Sequence, residues 1–188
     1  MKRVFFLVCC VLFVLGINTH LLAYNPPTGG QSVLDLLSPT FLAGGHHITS
    51  LESPQADALN PAISGAKQRT ALDLGYIALI GFGNEKGWKG HNANLGITIP
   101  TKVGVFTTSG HFVHSPFSGL DLGTLGNLRF SFAKDLYPDL LFGAGIGLTL
   151  GTNDVFDWGL GLDIGILHLP GDLGIFKNFR WGVAIHNM

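Results

Sequence analysis

The sequence predicts an all-β protein: an antiparallel transmembrane β-barrel, present as a partial or open half-barrel, with a loop-rich N-terminal plug segment. The first observation is the stretch from Leu140 to Leu150, where large apolar residues alternate with mostly glycine. Successive side chains of a strand point to opposite faces, so this stretch has one apolar face. The second is composition, since 46% of the 188 residues are hydrophobic and only 12% are charged, about half the charge of a soluble domain. The third is that, after the first two dozen residues, no apolar run approaches the ~20 residues of a spanning helix.

The N-terminus has the form of a signal peptide over residues 1–23. Lys2 and Arg3 supply the basic end, an apolar run follows from Val4 to Ile17, and a cleavage point falls near Ala23. Both cysteines of the chain lie inside this segment, so we expect an exported mature chain without disulfides.

Residues 24–69 are rich in proline, serine and glycine and carry no sustained periodicity beyond a helical turn expected at Ser32 to Leu37. A second pattern suggests where this segment lies. Glycines are frequent at the strand positions that lie between the apolar ones, which we call the non-apolar parity. They stand at 143, 145, 147, 159, 161 and 165 of the later strands. Interior strand glycines often mark the close approach of another backbone. We therefore expect the N-terminal segment to fill the concave side of the sheet as a plug, with Asn60-Pro61-Ala62 close to the entry of the first strand.

Residues 70–188 contain about seven alternating stretches, separated by turn-rich sequence. The longer stretches reach the ~9–11 residues that a tilted strand needs to cross a bilayer. Short turns such as Tyr137-Pro138-Asp139 favour sequential antiparallel pairing. The alternating stretches cover residues 72–82, 95–99, 103–112, 128–132, 140–150, 160–166 and 179–185. The predicted turn stretches cover residues 83–92, 115–126, 134–139, 151–157 and 168–174.

An acidic Asp57-Ala58 step followed closely by Asn60-Pro61-Ala62, just before the first strand, resembles the FadL-like outer-membrane transport family. The likeness is to an uncharacterised, spirochaete-type branch, and the connection from Ile99 to Phe106 fits it too. The resemblance implies a plugged barrel in the outer membrane that transports long-chain fatty acids or other hydrophobic small molecules. It implies three partners: outer-membrane lipid, a hydrophobic ligand and the barrel-assembly machinery.

The resemblance also implies about fourteen strands, an even number as in other single-chain bacterial barrels. This sequence supplies about half of them and ends in mid-pattern at Met188, so we expect an apparently truncated member and an open half-barrel. Whether such a chain transports or is non-functional through truncation stays open. Two alternatives stay open as well: an exported soluble β-sandwich acting as a periplasmic or surface binding module, and a small barrel of about eight strands.

Charged residues on the non-apolar parity are candidates for the substrate path, because a barrel lumen accepts charges that pair or meet water. Arg129, Asp163 and Arg180 share this parity with Asp73. Together with the motif residues they form the predicted substrate-path or plug set: Asp57, Asn60, Pro61, Ala62, Arg129, Asp163 and Arg180.

We expect no enzyme activity, no cofactor and no metal. Ser109, Ser115 and Ser118 lie near His111 and His114, but no oriented aspartate and no G-x-S-x-G elbow accompany them. His111 and His114 would point to opposite faces of a strand, and we expect these histidines, with His46-His47, to be polar loop or rim residues. The formal net charge of −1 gives no reason to expect a nucleic-acid partner.

Overall fold

The computed structural model describes residues 39, 53–66, 69–81, 87–117, 120–152 and 156–186. The predicted signal peptide, the helical turn expected at Ser32 to Leu37, His46-His47 and Ser118 lie outside the described residues. Within the described part, no helix is long and apolar enough to span a membrane.

Seven strands form one antiparallel sheet in chain order, and the sheet is curled into an open half-barrel. Each strand pairs with the next along the chain, as the short turns predict. The two-sheet sandwich is therefore not what these strands form, since all seven belong to one sheet. The strands are β1 (Ala71–Gly81), β2 (Gly87–Pro100), β3 (Val105–Phe117), β4 (Leu120–Tyr137), β5 (Leu140–Thr152), β6 (Phe156–Leu173) and β7 (Phe176–Ile185).

The strands are longer than the alternation of apolar residues indicates. β2 begins at Gly87, β4 begins at Leu120 and β6 continues to Leu173. All five predicted turn stretches, 83–92, 115–126, 134–139, 151–157 and 168–174, overlap a strand and are wrong in part. Backbone ladders need no particular side chains, and pairing continues where the hydrophobic pattern has already stopped. The β4–β5 turn is short as expected, and Asp139 takes the left-handed backbone conformation there, with φ of 67°.

The two faces of the sheet differ in the side chains they carry and in their burial. The convex face carries the apolar parity, and the large side chains on it are mostly exposed. The face predicted for Ile146, Ile164 and Val183 is confirmed, whereas their contact with lipid stays a prediction. Phe142 and Leu148 share this face and are half-buried, and Leu162 and Ile185 are exposed. Exposed convex residues include Leu72, Leu74, Leu95, Ile99, Phe106, Phe112, Leu128, Phe130, Ile146, Leu160, Leu162, Ile164, Val183 and Ile185.

The concave face is polar or small and is buried. Its few large apolar residues include Leu141 on β5 and Leu167 on β6, which pack with Ala62 and Ile63 in a small core. Its buried polar residues include Asn92, Asn94, Thr98, Thr107, Ser109, His111, Ser115, Asn127, Arg129, Ser131, Thr149 and Asp163.

Residues 53–66, which we call the plug, fold as two short 3₁₀ helices rather than the irregular loop expected. η1 spans Pro54–Ala58 and η2 spans Pro61–Ala66. Ser53 is extended, and its Oγ accepts a hydrogen bond from the Gln55 amide, so it caps η1. Each helix starts at a proline, whose fixed φ suits the first helical position and whose missing N–H leaves no donor unpaired there. The plug packs on the concave face, as predicted for this part of residues 24–69.

Candidate functional site

The candidate site is the contact between the plug and the concave face of the sheet. At β5 this contact is a direct approach of backbones, and at β6 a side-chain amide of the plug lies on the strand. A Cβ added at Gly143 would overlap the backbone of Pro61 and Ala62, and one added at Gly165 would overlap Asn60 Oδ1. Both positions must lack a side chain, and at Gly143 the cause is the close backbone approach inferred from the sequence. Gly145 differs, because a Cβ there would meet its neighbours at 3.4 Å or more.

Asn60 joins the plug to the wall through its side-chain amide. Its Nδ2 donates to the backbone oxygen of Ile166 at 3.1 Å, and its Oδ1 accepts from the Ala62 amide at 3.0 Å. The side chain is fully buried. We expected the motif beside the entry of the first strand, and this is wrong: it lies against β5 and β6. A contact across 106 positions of sequence depends on the curl of the sheet, which local patterns do not contain.

Asp57 is a buried carboxylate held by hydroxyl donors of the wall. Ser109 Oγ on β3 donates to Asp57 Oδ1 at 2.9 Å, and Ser131 Oγ on β4 donates to Asp57 Oδ2 at 3.2 Å. Ser53, at the start of the plug, donates to Asp73 on β1. Asp57 therefore docks η1 on β3 and β4, Ser53 docks its start on β1, and Asn60 docks the following turn on β6.

Arg129 and Asp163 come together on the concave face as the shared parity predicts. Arg129 Nε lies 3.4 Å from Asp163 Oδ2, and both side chains are almost completely buried. The other carboxylate oxygen of Asp163 lies 3.2 Å from His186 Nδ1, and His186 Nε2 lies 2.9 Å from the backbone oxygen of Leu59. This chain of contacts connects β4, β6 and the residue after β7 to the plug.

Arg180 does not join this cluster. It is exposed on β7, two residues before Gly182, which lies beneath Asn60. The alternation of side chains along the strands places Arg180 on the same face as Asp163. It does not show how far along the strand the plug extends. His186 takes the place beside Asp163 instead, and sequence reasoning missed it. The signal was available, because His186 continues the parity of Gly182 and Ala184 beyond the end of β7.

Within the described part of the chain, the histidines and serines considered as a catalytic set make separate contacts rather than those of a triad. His111 and His114 do point to opposite faces, but the expectation of a loop or rim position is wrong for His111, which is buried in β3. His114 Nδ1 instead contacts Thr124 Oγ1 at 2.9 Å. Ser109 donates to Asp57, and neither ring nitrogen of His111 has a hydrogen-bond partner among the described residues. Among the described residues, no group of three or more histidine, cysteine, aspartate or glutamate side chains could hold a metal ion.

Comparisons of the chain with protein-family models, with curated proteins and with solved structures find no match. The interpretation of the site therefore depends on its own geometry: a curled sheet, a plug on its concave face, and an exposed apolar convex face.

Proposed function

We propose that this protein is an outer-membrane β-barrel protein of FadL type that transports long-chain fatty acids or other hydrophobic small molecules, with its convex face in contact with lipid. The single observation that carries the proposal is that the exposed face of the sheet is apolar and the buried face is polar, the reverse of a soluble sheet. Large apolar side chains are exposed over most of the convex face of the described strands, and the buried face is polar or small. Soluble monomers rarely expose contiguous apolar patches beyond a few hundred Å², whereas membrane barrels carry an apolar band outward and polar residues inward.

The plug supports a transport role rather than a purely structural one. Asp57 and Asn60 hold it to the wall through hydrogen bonds, and His186 links Leu59 of the plug to the Arg129–Asp163 pair. Such contacts can be exchanged for water at low net free energy, because folding only replaces hydrogen bonds to water. A segment docked in this way can shift within a lumen while the sheet around it stays paired.

Membrane insertion is tested by placing one arginine at two depths of β6. Ile164 lies at the middle of the strand and Phe156 at its first residue, and both are exposed. Arginine at the bilayer midplane costs about 2–4 kcal/mol, and about 0–1 kcal/mol near the interface. We expect Ile164→Arg to lower the amount of chain recovered in outer membranes strongly, and Phe156→Arg to leave it close to wild type.

The functional readout uses the same variants. Gram-negative cells without their own outer-membrane fatty-acid transporter should take up labelled oleate faster when they express the full chain. Ile164→Arg should return uptake to the level of cells with an empty vector, and Phe156→Arg should not. Recovery of the wild-type chain in the soluble periplasmic fraction, or equal effects of the two arginines, would contradict the proposal.

A further inference from the structure

The imidazole of His186 stands between the wall and the plug and contacts both with its two ring nitrogens. Nδ1 lies 3.2 Å from Asp163 Oδ1 on β6, and Nε2 lies 2.9 Å from the backbone oxygen of Leu59. Leu59 is the residue that ends η1. One ring therefore joins β6 to the junction between the two plug helices, and we call this pair of contacts the His186 bridge.

Both partners of the His186 bridge are hydrogen-bond acceptors. A carboxylate and a backbone carbonyl only accept, whereas a neutral imidazole carries a single N–H and an imidazolium carries two. A neutral ring would therefore direct a nitrogen lone pair at one of the two oxygens. Asp163 does not supply the missing proton, because Arg129 beside it favours the ionised carboxylate. Both contacts are hydrogen bonds only when His186 is protonated.

Two charged groups of the described residues face His186 from the elements packed against it: Asp163 on β6 and Arg129 on β4. The plug presents the neutral carbonyl of Leu59. Arg129 Nε lies at Asp163 Oδ2, and His186 Nδ1 lies at Oδ1, so the two cations use different oxygens of one carboxylate. About a third of the His186 side chain is exposed, 31%, so its ring can exchange a proton with water.

We propose that the His186 bridge is a pH-sensitive latch on the plug. The imidazolium holds the junction of the two plug helices against β6, and loss of its proton as the pH rises turns the ring toward water and loosens that junction. This deepens the proposed transport function, on which it rests, by naming how the plug is regulated. Asn60 keeps its contact with Ile166 at every pH because an amide does not titrate, so the latch loosens the plug without detaching it.

A nitroxide label at Leu59→Cys tests the latch in the full chain, with the two native cysteines replaced by serine and the protein reconstituted in vesicles. Histidine changes charge between about pH 5 and pH 8. We expect the mobile fraction of the spin-label spectrum to change from minor at about pH 5 to major at about pH 8, the two ends of that range.

Three variants assign this transition to the His186 bridge. His186→Phe, which makes neither contact, should give a mobile label at both pH values. His186→Arg, a permanent cation with several donors, should give an immobile label at both. His168→Phe is the matched control, since His168 lies on the convex face of β6 and should leave the transition unchanged. A spectrum of the wild-type bridge that does not change with pH, or a transition that survives in His186→Phe, overturns the latch.

Uptake of labelled oleate separates failure of the latch from failure of the transport proposal. At the upper end of the histidine range, about pH 8, His186→Arg should lose most of the uptake that the wild-type chain adds over an empty vector, with equal amounts of both chains recovered in outer membranes. Equal uptake by the two chains overturns the latch and leaves the transport proposal standing. Wild-type uptake no faster than the empty vector overturns the transport proposal, whereas a label transition that requires His186 still supports the bridge.

Discussion

The convex and concave faces belong to the same seven strands, yet their side chains differ in size, polarity and exposure. On the convex face, side chains such as Leu162 and Ile164 are large, apolar and exposed. On the concave face, one residue away in sequence, Asp163 is charged and almost completely buried. A soluble sheet arranges these properties the other way round. The difference shows that the fold places its apolar surface outside and buries its polar surface.

The plug is held on the concave face in two ways. Over β5 and β6 the plug approaches so closely that Gly143 and Gly165 leave no space for a side chain. Over β3 and β4 the plug is held by side-chain hydrogen bonds from Ser109 and Ser131 to Asp57. The first mode depends on shape and the second on charge, so different substitutions should break them.

The largest effect is expected from removing one charge of the buried pair. Asp163→Ala leaves Arg129 buried without its carboxylate, and breaking a buried ion pair destabilises a protein by about 3–5 kcal/mol. The free energy of unfolding, measured by urea titration in detergent micelles, should fall by that amount.

Asp172→Ala is the matched control in the same strand. Asp172 forms an exposed ion pair with Lys177 at 2.7 Å, and exposed pairs contribute little because water screens them. We expect no measurable change in unfolding for this variant. Equal losses for the two aspartates would show that the concave face is not a low-dielectric environment.

A smaller effect is expected from adding a single methyl group beneath the plug. Gly165→Ala places a Cβ against Asn60, and overpacking of this kind destabilises by about 1–3 kcal/mol. Because the added atom displaces the plug, residues 53–66 should also become more sensitive to a protease, which mass spectrometry of the fragments detects.

Gly145→Ala sharpens this test, because its Cβ would lie at ordinary contact distance from Phe130 and Ser131. The sequence predicts a close approach of another backbone at both glycines, whereas the structure predicts that Gly145 tolerates alanine. Protease sensitivity that rises equally in both variants would mean that the plug does not lie against Gly165.

Local patterns were sufficient to predict the faces of this sheet, because the two-residue period of a strand is a property of the backbone alone. They also predicted that interior glycines such as Gly143 meet another backbone. They did not predict that Pro61 and Ala62 supply that backbone, because this depends on how the sheet curls. For the same reason parity placed Arg180 and Asp163 on one face without showing that only Asp163 lies beneath the plug. Strand ends were underestimated at Gly87 and Leu173 since backbone pairing does not require apolar side chains.

The most direct test of the account measures what surrounds the convex face. Nitroxide labels are attached to single cysteines in vesicle-reconstituted full chain, after the two native cysteines have been replaced by serine. Labels at Leu162 and Ile164 should collide often with oxygen, which concentrates in lipid, and rarely with a water-soluble nickel complex. A label at Asp139, in the exposed β4–β5 turn, should behave in the opposite way. Nickel accessibility at Leu162 and Ile164 equal to that at Asp139 would contradict the claim that the convex face meets lipid.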